Sequence, residues 1–126
     1  MRRALLLLVV VLATACGDHG GHGDAAASEL ETPAQEAVAG ICSALEADPE
    51  AAKTAFQSVH GQLHDIGDAL TEHDRGEAAD FLRAKTTVEA DISGNAAADK
   101  LKADLTALSE AVDRALNQLD VDAPDC

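Results

Sequence analysis

From residue 32 onward, apolar side chains recur at alternating steps of four and three residues, the period of a helix buried along one face. Ala34, Val38, Ile41 and Leu45 form the first stripe, with Cys42 flanking it. Thr32 suits an N-cap, Pro33 the first helical position, and Thr32 with Gln35 a capping box, so the first helix is predicted to begin there. Pro49 ends it, and Asp48 caps a second helix carrying Ala52, Phe56, Val59, Leu63, Ile66 and Leu70 on one unbroken seam. His73 falls at the next seam position, where it either stacks at the open end or caps the last carbonyls. Asp74 and Glu77 mark a turn into a third helix, with Ala78, Phe81, Leu82, Val88 and Ile92 predicted to face inward, ending near Ser93-Gly94-Asn95. The fourth carries Leu101, Leu105, Leu108, Val112, Ala115 and Leu119 before Asp122, Pro124 and Asp125 break it. Connections this short favour antiparallel neighbours. The expected fold is all-α, a small antiparallel four-helix bundle over residues 32–126, with no strand pattern.

Residues 16–31 are mostly Gly, Ala, His and acidic residues without such a period, and are expected to form a flexible His/Gly-rich tether. Before them the pattern changes again. Arg2 and Arg3 precede the apolar run Ala4–Ala15, followed by Cys16 and Gly17. A basic head, a short apolar stretch and small residues before a cut make residues 1–15 a secretory signal peptide. A helix of about 12 residues is roughly 18 Å long, too short for the ~30 Å hydrocarbon core of a bilayer. The stretch Ala13-Thr14-Ala15-Cys16 resembles the lipobox of bacterial lipoproteins, with Ala13 standing where Leu is commoner. That resemblance implies lipidation of Cys16, with palmitate among the acyl groups, and anchoring on the extracytoplasmic face of the cell membrane. Ala13-Thr14-Ala15 also fits ordinary signal cleavage, which would release a soluble chain with a free thiol at Cys16.

Charge narrows the partners. The chain has 9 basic and 23 acidic residues, net −14. Loss of Arg2 and Arg3 with the signal leaves 7 basic residues and a net charge of −16. Such a surface argues against nucleic acid or an anionic lipid surface as a charge-driven partner. It is compatible with a cationic partner or a metal ion, the other reading being a simply solvated acidic surface; an envelope protein is the partner expected of an anchored interaction module. Trp and Tyr are absent, Phe56 and Phe81 are the only aromatics, and much of the apolar content is Ala. That core packs helices closely but contains little bulk, so a cross-link would add stability where it is needed.

Cysteine usage offers one. Three cysteines are awkward in an oxidising compartment. If Cys16 takes lipid, Cys42 and Cys126 remain, and an up-down-up-down order brings the C-terminal tail back beside the first helix. The expected pairing is Cys42 with Cys126; the other reading leaves Cys42 as a core thiol and Cys126 in a frayed end.

Candidate chemistry rests on histidines. Asp18-His19-Gly20-Gly21-His22-Gly23-Asp24 looks like the His-rich leader of some copper-associated bacterial lipoproteins, and His19 and His22 could serve as auxiliary ligands. On the second helix His60 and His64 stand four residues apart, with Asp68 one turn further, all on one face. Two imidazoles and a carboxylate are donors for Cu, Zn or Ni. Boundary histidines, hydrogen-bonded or solvated, are the competing reading. Gly61 occupies the place of the catalytic Glu in the His-Glu-x-x-His signature, so a metalloprotease is not indicated. No nucleophile elbow, Walker loop, Rossmann glycine pattern or Glu-x-x-His pair occurs, and the carboxylates spread along exposed faces. The sequence therefore points to a binding or interaction module rather than an enzyme, with metal capture through His60 and His64 as the alternative.

Overall fold

The structure is a computed structural model that describes residues 22–126, with side chains from residue 27 onward. The signal segment, Cys16 and His19 lie outside the described residues, as does the side chain of His22. The described residues form five α-helices and no strand: α1 (His22–Glu46), α2 (Pro49–Ser58), α3 (His60–His73), α4 (Arg75–Gly94) and α5 (Ala98–Gln118). Helix α1 packs against α2, α3 and α5, α3 packs against α4 and α5, and α4 packs against α5. None of the described helices is long and apolar enough to cross a membrane.

Two boundaries and one buried face differ from the sequence pattern. Helix α1 starts at His22, ten residues before Thr32, and carries Pro33 in its interior. Thr32 and Gln35 are exposed mid-helix residues, so no capping box opens the helix there, and residues 22–31 are helical rather than a flexible tether. Pro33 lacks an N–H and crowds the carbonyl of Glu29, which costs about 3 kcal/mol in a helix interior. Ala25, Ala26 and Ala27 favour the helix, and Ala27 and Leu30 rest half-buried against the core. Burial extends the stripe about two turns upstream and offsets the proline.

The second correction is a break in the predicted second helix. Val59 closes α2 and opens α3 with φ −113° and ψ 11°, outside helical geometry. Its N–H still reaches the Phe56 carbonyl at 3.2 Å, and its own carbonyl accepts from the Leu63 N–H at 3.1 Å. The buried seam from Ala52 through Phe56, Val59, Leu63, Ile66 and Leu70 continues across the break. Helix α1 comes closest here: a Cβ added to Gly40 would lie 2.3 Å from Val59 Cγ1. Gly67 has a similar role against α4, where a Cβ would meet the Phe81 ring at 3.2 Å.

Third, Leu82 is the exposed member of the predicted inner face of α4, 39% accessible, and Lys85 takes the inward register in its place. The buried run on α4 reads Ala78, Phe81, Lys85, Val88, with Ile92 half-buried beyond it. Asp74 caps this helix as the sequence predicts, accepting from the Gly76 and Glu77 N–H groups at 2.8 and 3.1 Å. Asn95 ends it in the left-handed region at φ 51°.

Beyond α5 the chain turns at Asp120, φ 53°, and Val121 tucks back into the core. The tail then reaches α1, where Cys42 and Cys126 are joined with their Cα atoms 5.4 Å apart.

Candidate functional site

The polar group with the most convergent geometry lies where α3 packs against α4. His60 and His64 project from successive turns of α3, and Lys85 and Glu89 from successive turns of α4. The i, i+4 spacing on both helices brings the four heads together. Lys85 is 4% exposed, one of two buried charged residues among those described. Its Nζ lies 2.6 Å from Glu89 Oε1, 3.3 Å from His60 Nε2 and 3.4 Å from His64 Nε2. His60 Nε2 is also 2.6 Å from Glu89 Oε1. The two imidazoles meet edge to face with centroids 4.6 Å apart, and Phe56 meets His60 likewise at 6.1 Å.

Hydrogen-bond logic orients the protons. The short contact to a carboxylate requires His60 Nε2 to carry hydrogen and donate. The Lys85 ammonium donates to the same Oε1, and its remaining near acceptor is His64 Nε2. His64 Nε2 accepts from that ammonium in the tautomer that carries hydrogen on Nδ1. The cluster is thus a chain, His60 to Glu89, Lys85 to Glu89, Lys85 to His64. Partial burial alone would raise the Glu89 carboxyl above its usual range, but the bonds from Lys85 and then His60 outweigh that and hold it below. A carboxylate kept ionised compensates an ammonium that has almost no solvent of its own.

Beside this chain opens a cleft of about 370 Å³, lined by Phe56, Gln57, His60, Glu89, Ile92 and Ser93. Phe56 and Gln57 from the end of α2, His60 from the start of α3 and three residues of α4 surround its opening. A larger open groove along α4 passes Leu82 and Thr86 to Asp91 and Lys100. Its charged end is an ion-pair group between α4 and α5. Lys100 bonds to buried Asp91 and, at 2.7 Å, to Asp104, and Lys100 first and then Asp91 hold the Asp104 carboxyl below its usual range.

The structure brings together His60 and His64 but not Asp68. Asp68 is exposed one turn further along α3 and bonds to none of the cluster. His73 is exposed at the last turn of α3 rather than stacked on the seam. Among the described residues no three His, Cys, Asp or Glu side chains are grouped so as to hold a metal ion. Lys85 and Glu89 were not singled out by motif. The legible signal was the register of α4: steps from Ala78 to Phe81 and from Val88 to Ile92 leave position 85 on the buried seam, and a lysine fills it.

Comparison with known proteins finds no matching family model, no matching curated protein and no matching solved structure.

Proposed function

We propose that this chain is a lipid-anchored helical binding module on the extracytoplasmic face of a bacterial membrane, where it contacts another envelope protein. The observation that carries this reading is the cysteine partition. Cys42 and Cys126 are paired across the fold, which suits an oxidising compartment and leaves Cys16 available for lipid at the end of a lipobox-like signal. We read the domain as an antiparallel four-helix bundle whose second rod, α2 with α3, is broken at Val59. Short connections and the closed circuit of packing from α1 through α3, α4 and α5 back to α1 support that arrangement.

The test is fractionation of cells expressing the full chain. The wild type should remain with membranes and incorporate a palmitate label, and Cys16→Ser should lose the label and either leave the membrane or accumulate unprocessed. Unchanged membrane retention of Cys16→Ser would overturn the anchor.

A second reading, capture of divalent Cu, Zn or Ni outside the cell, is favoured by one observation. The Nε2 atoms of His60 and His64 both turn toward a single point on the α3–α4 contact, within 3.4 Å of Lys85 Nζ.

A further inference from the structure

Among the described residues, the one large apolar side chain left exposed is Leu82, 39% accessible. The one buried side-chain oxygen without a hydrogen-bond partner among them is Asp91 Oδ2. Both residues line the same groove of about 490 Å³ along α4, with Thr86 and Ala90 between them and Lys100 of α5 at the charged end. We propose that this groove is the docking site for the partner protein, and that it takes a segment presenting an apolar side chain to Leu82 and a lysine or arginine head to Asp91. The inference rests on the reading of the chain as a binding module and names the chemistry of what it binds.

Charge selects the head. The side chain of Asp91 is 8% exposed, and a buried acceptor without a donor is a cost that an incoming N–H removes. Lys100 is the cation at hand, but it bonds to Asp91 through Oδ1 and to Asp104 at 2.7 Å. Two carboxylates thus share one ammonium, which leaves the group one negative charge in excess. Arg83, the other cation on the groove, is matched by Asp80 at 2.8 Å. A second cation entering from solvent balances the group and donates to Oδ2. A molecule of net charge −14 also draws such a segment in.

Spacing selects the segment. Leu82 and Asp91 are nine residues apart on one helix, about 13–14 Å at 1.5 Å per residue. In an extended segment, side chains four residues apart share a face and stand about 13 Å from each other. The stem of the basic residue would cross Ala90 and Thr86, short side chains that leave room for it. Lys100 is 57% exposed, so admitting a second head beside it moves a surface side chain and leaves the core as it is. A second copy of this chain suits the groove poorly, because it brings a further net charge of −14.

The experiment is a titration of the isotopically labelled full chain, followed by NMR, with the blocked peptide acetyl-Leu-Thr-Ser-Thr-Arg-amide as probe. Saturable shifts should centre on the Leu82 methyls and the Asp91 and Lys100 amides, with a Kd tighter than about 1 mM. Citrulline in place of the peptide's arginine keeps the shape and removes the charge, and should weaken binding at least about 10-fold. Alanine in place of its leucine, or Leu82→Ser in the protein, should weaken binding about 5-fold or more. Thr87→Lys, one turn before Asp91, supplies the cation from within the chain and should abolish binding. Thr87→Gln should retain it. Neither Leu82 nor Thr87 is buried, so these variants should keep the fold, which circular dichroism checks.

The proposal is overturned by a lack of saturable shifts at Leu82 and Asp91, by equal binding of the citrulline peptide, or by binding indifferent to Leu82→Ser and Thr87→Lys. Arginine amide binding as tightly as the peptide would overturn it in favour of a small free cation. Concentration-dependent shifts at Leu82 without peptide would overturn it in favour of a second copy. The anchored-module reading is tested separately by Cys16→Ser, whose outcome does not depend on the groove.

Discussion

At the scale of single residues, the buried ammonium of Lys85 governs what can be changed. Removing its anion leaves a buried charge without a counter-ion, whereas removing both charges leaves an apolar gap that methionine fills. Glu89→Gln should therefore destabilise the fold by about 1–2 kcal/mol at neutral pH, less than for a fully buried pair because Glu89 is a third exposed. The double variant Lys85→Met/Glu89→Gln should recover most of that loss. Urea unfolding followed by circular dichroism measures both, and equal losses in the single and double variants would refute the account. The pH dependence has a definite sign. Lys85 and His60 hold the folded Glu89 carboxyl below its ordinary value of 4.5, so the unfolded chain binds that proton more readily. Its stabilisation is complete above about pH 4.5 and is lost as pH falls through the lower folded value. The double variant should lack this component of acid unfolding.

The elements are held by close approach as much as by bulk. Gly40 lets α1 reach Val59 at the break between α2 and α3. Alanine at that position gains about 1 kcal/mol of helix propensity, but its methyl would require Val59, itself buried and β-branched, to move. The expected net result for Gly40→Ala is a loss of up to about 2 kcal/mol, since overpacking typically takes 1–3 kcal/mol. Val59→Ala in the same chain should relieve part of the clash, a coupling that a double-mutant cycle detects. Gly61→Ala is the control: a Cβ there meets nothing within 4 Å, so thermal unfolding should show the same or greater stability. The pattern of apolar positions located the helical stripes and the turns at Asp48, Asp74 and Asn95, because caps and left-handed residues announce themselves locally. It missed the start of α1, since core contacts of Ala27 and Leu30 outweigh a proline that read as a first position. It also missed the break at Val59, because the buried seam keeps its phase on both sides of one irregular residue.

For the whole molecule, the Cys42–Cys126 link closes most of the described chain, the two positions lying 84 apart in sequence. In the chain-entropy account a loop of that size contributes about 4–5 kcal/mol by restricting the unfolded state, and strain and residual structure usually reduce it. The core offers only two phenylalanines and a large share of alanine, so this is a substantial fraction of a small domain's stability. Cys42→Ser/Cys126→Ser should lower the unfolding free energy by about 2–4 kcal/mol. Chemical reduction should lower the wild-type transition toward that of the variant and leave the variant unchanged. Mass spectrometry of the oxidised chain should find no free thiol at either position.

The sequence by itself determined the helical class, most of the faces that are buried, two of the helix N-caps and the residues that could be linked by sulfur. Each of these follows from local periodicity, backbone preference or the arithmetic of three cysteines. Tertiary structure decided where α1 begins, that α2 and α3 are separate helices, and which carboxylate stands beside His60 and His64. Asp68 shares their helix face, but Glu89 reaches them from α4 because the contact depends on how two helices pack. Lys85 shows the same division. Its place on the seam is readable from the spacing of its neighbours, while its partners are set only when α3 and α4 close around it and exclude the water that would otherwise hold its charge.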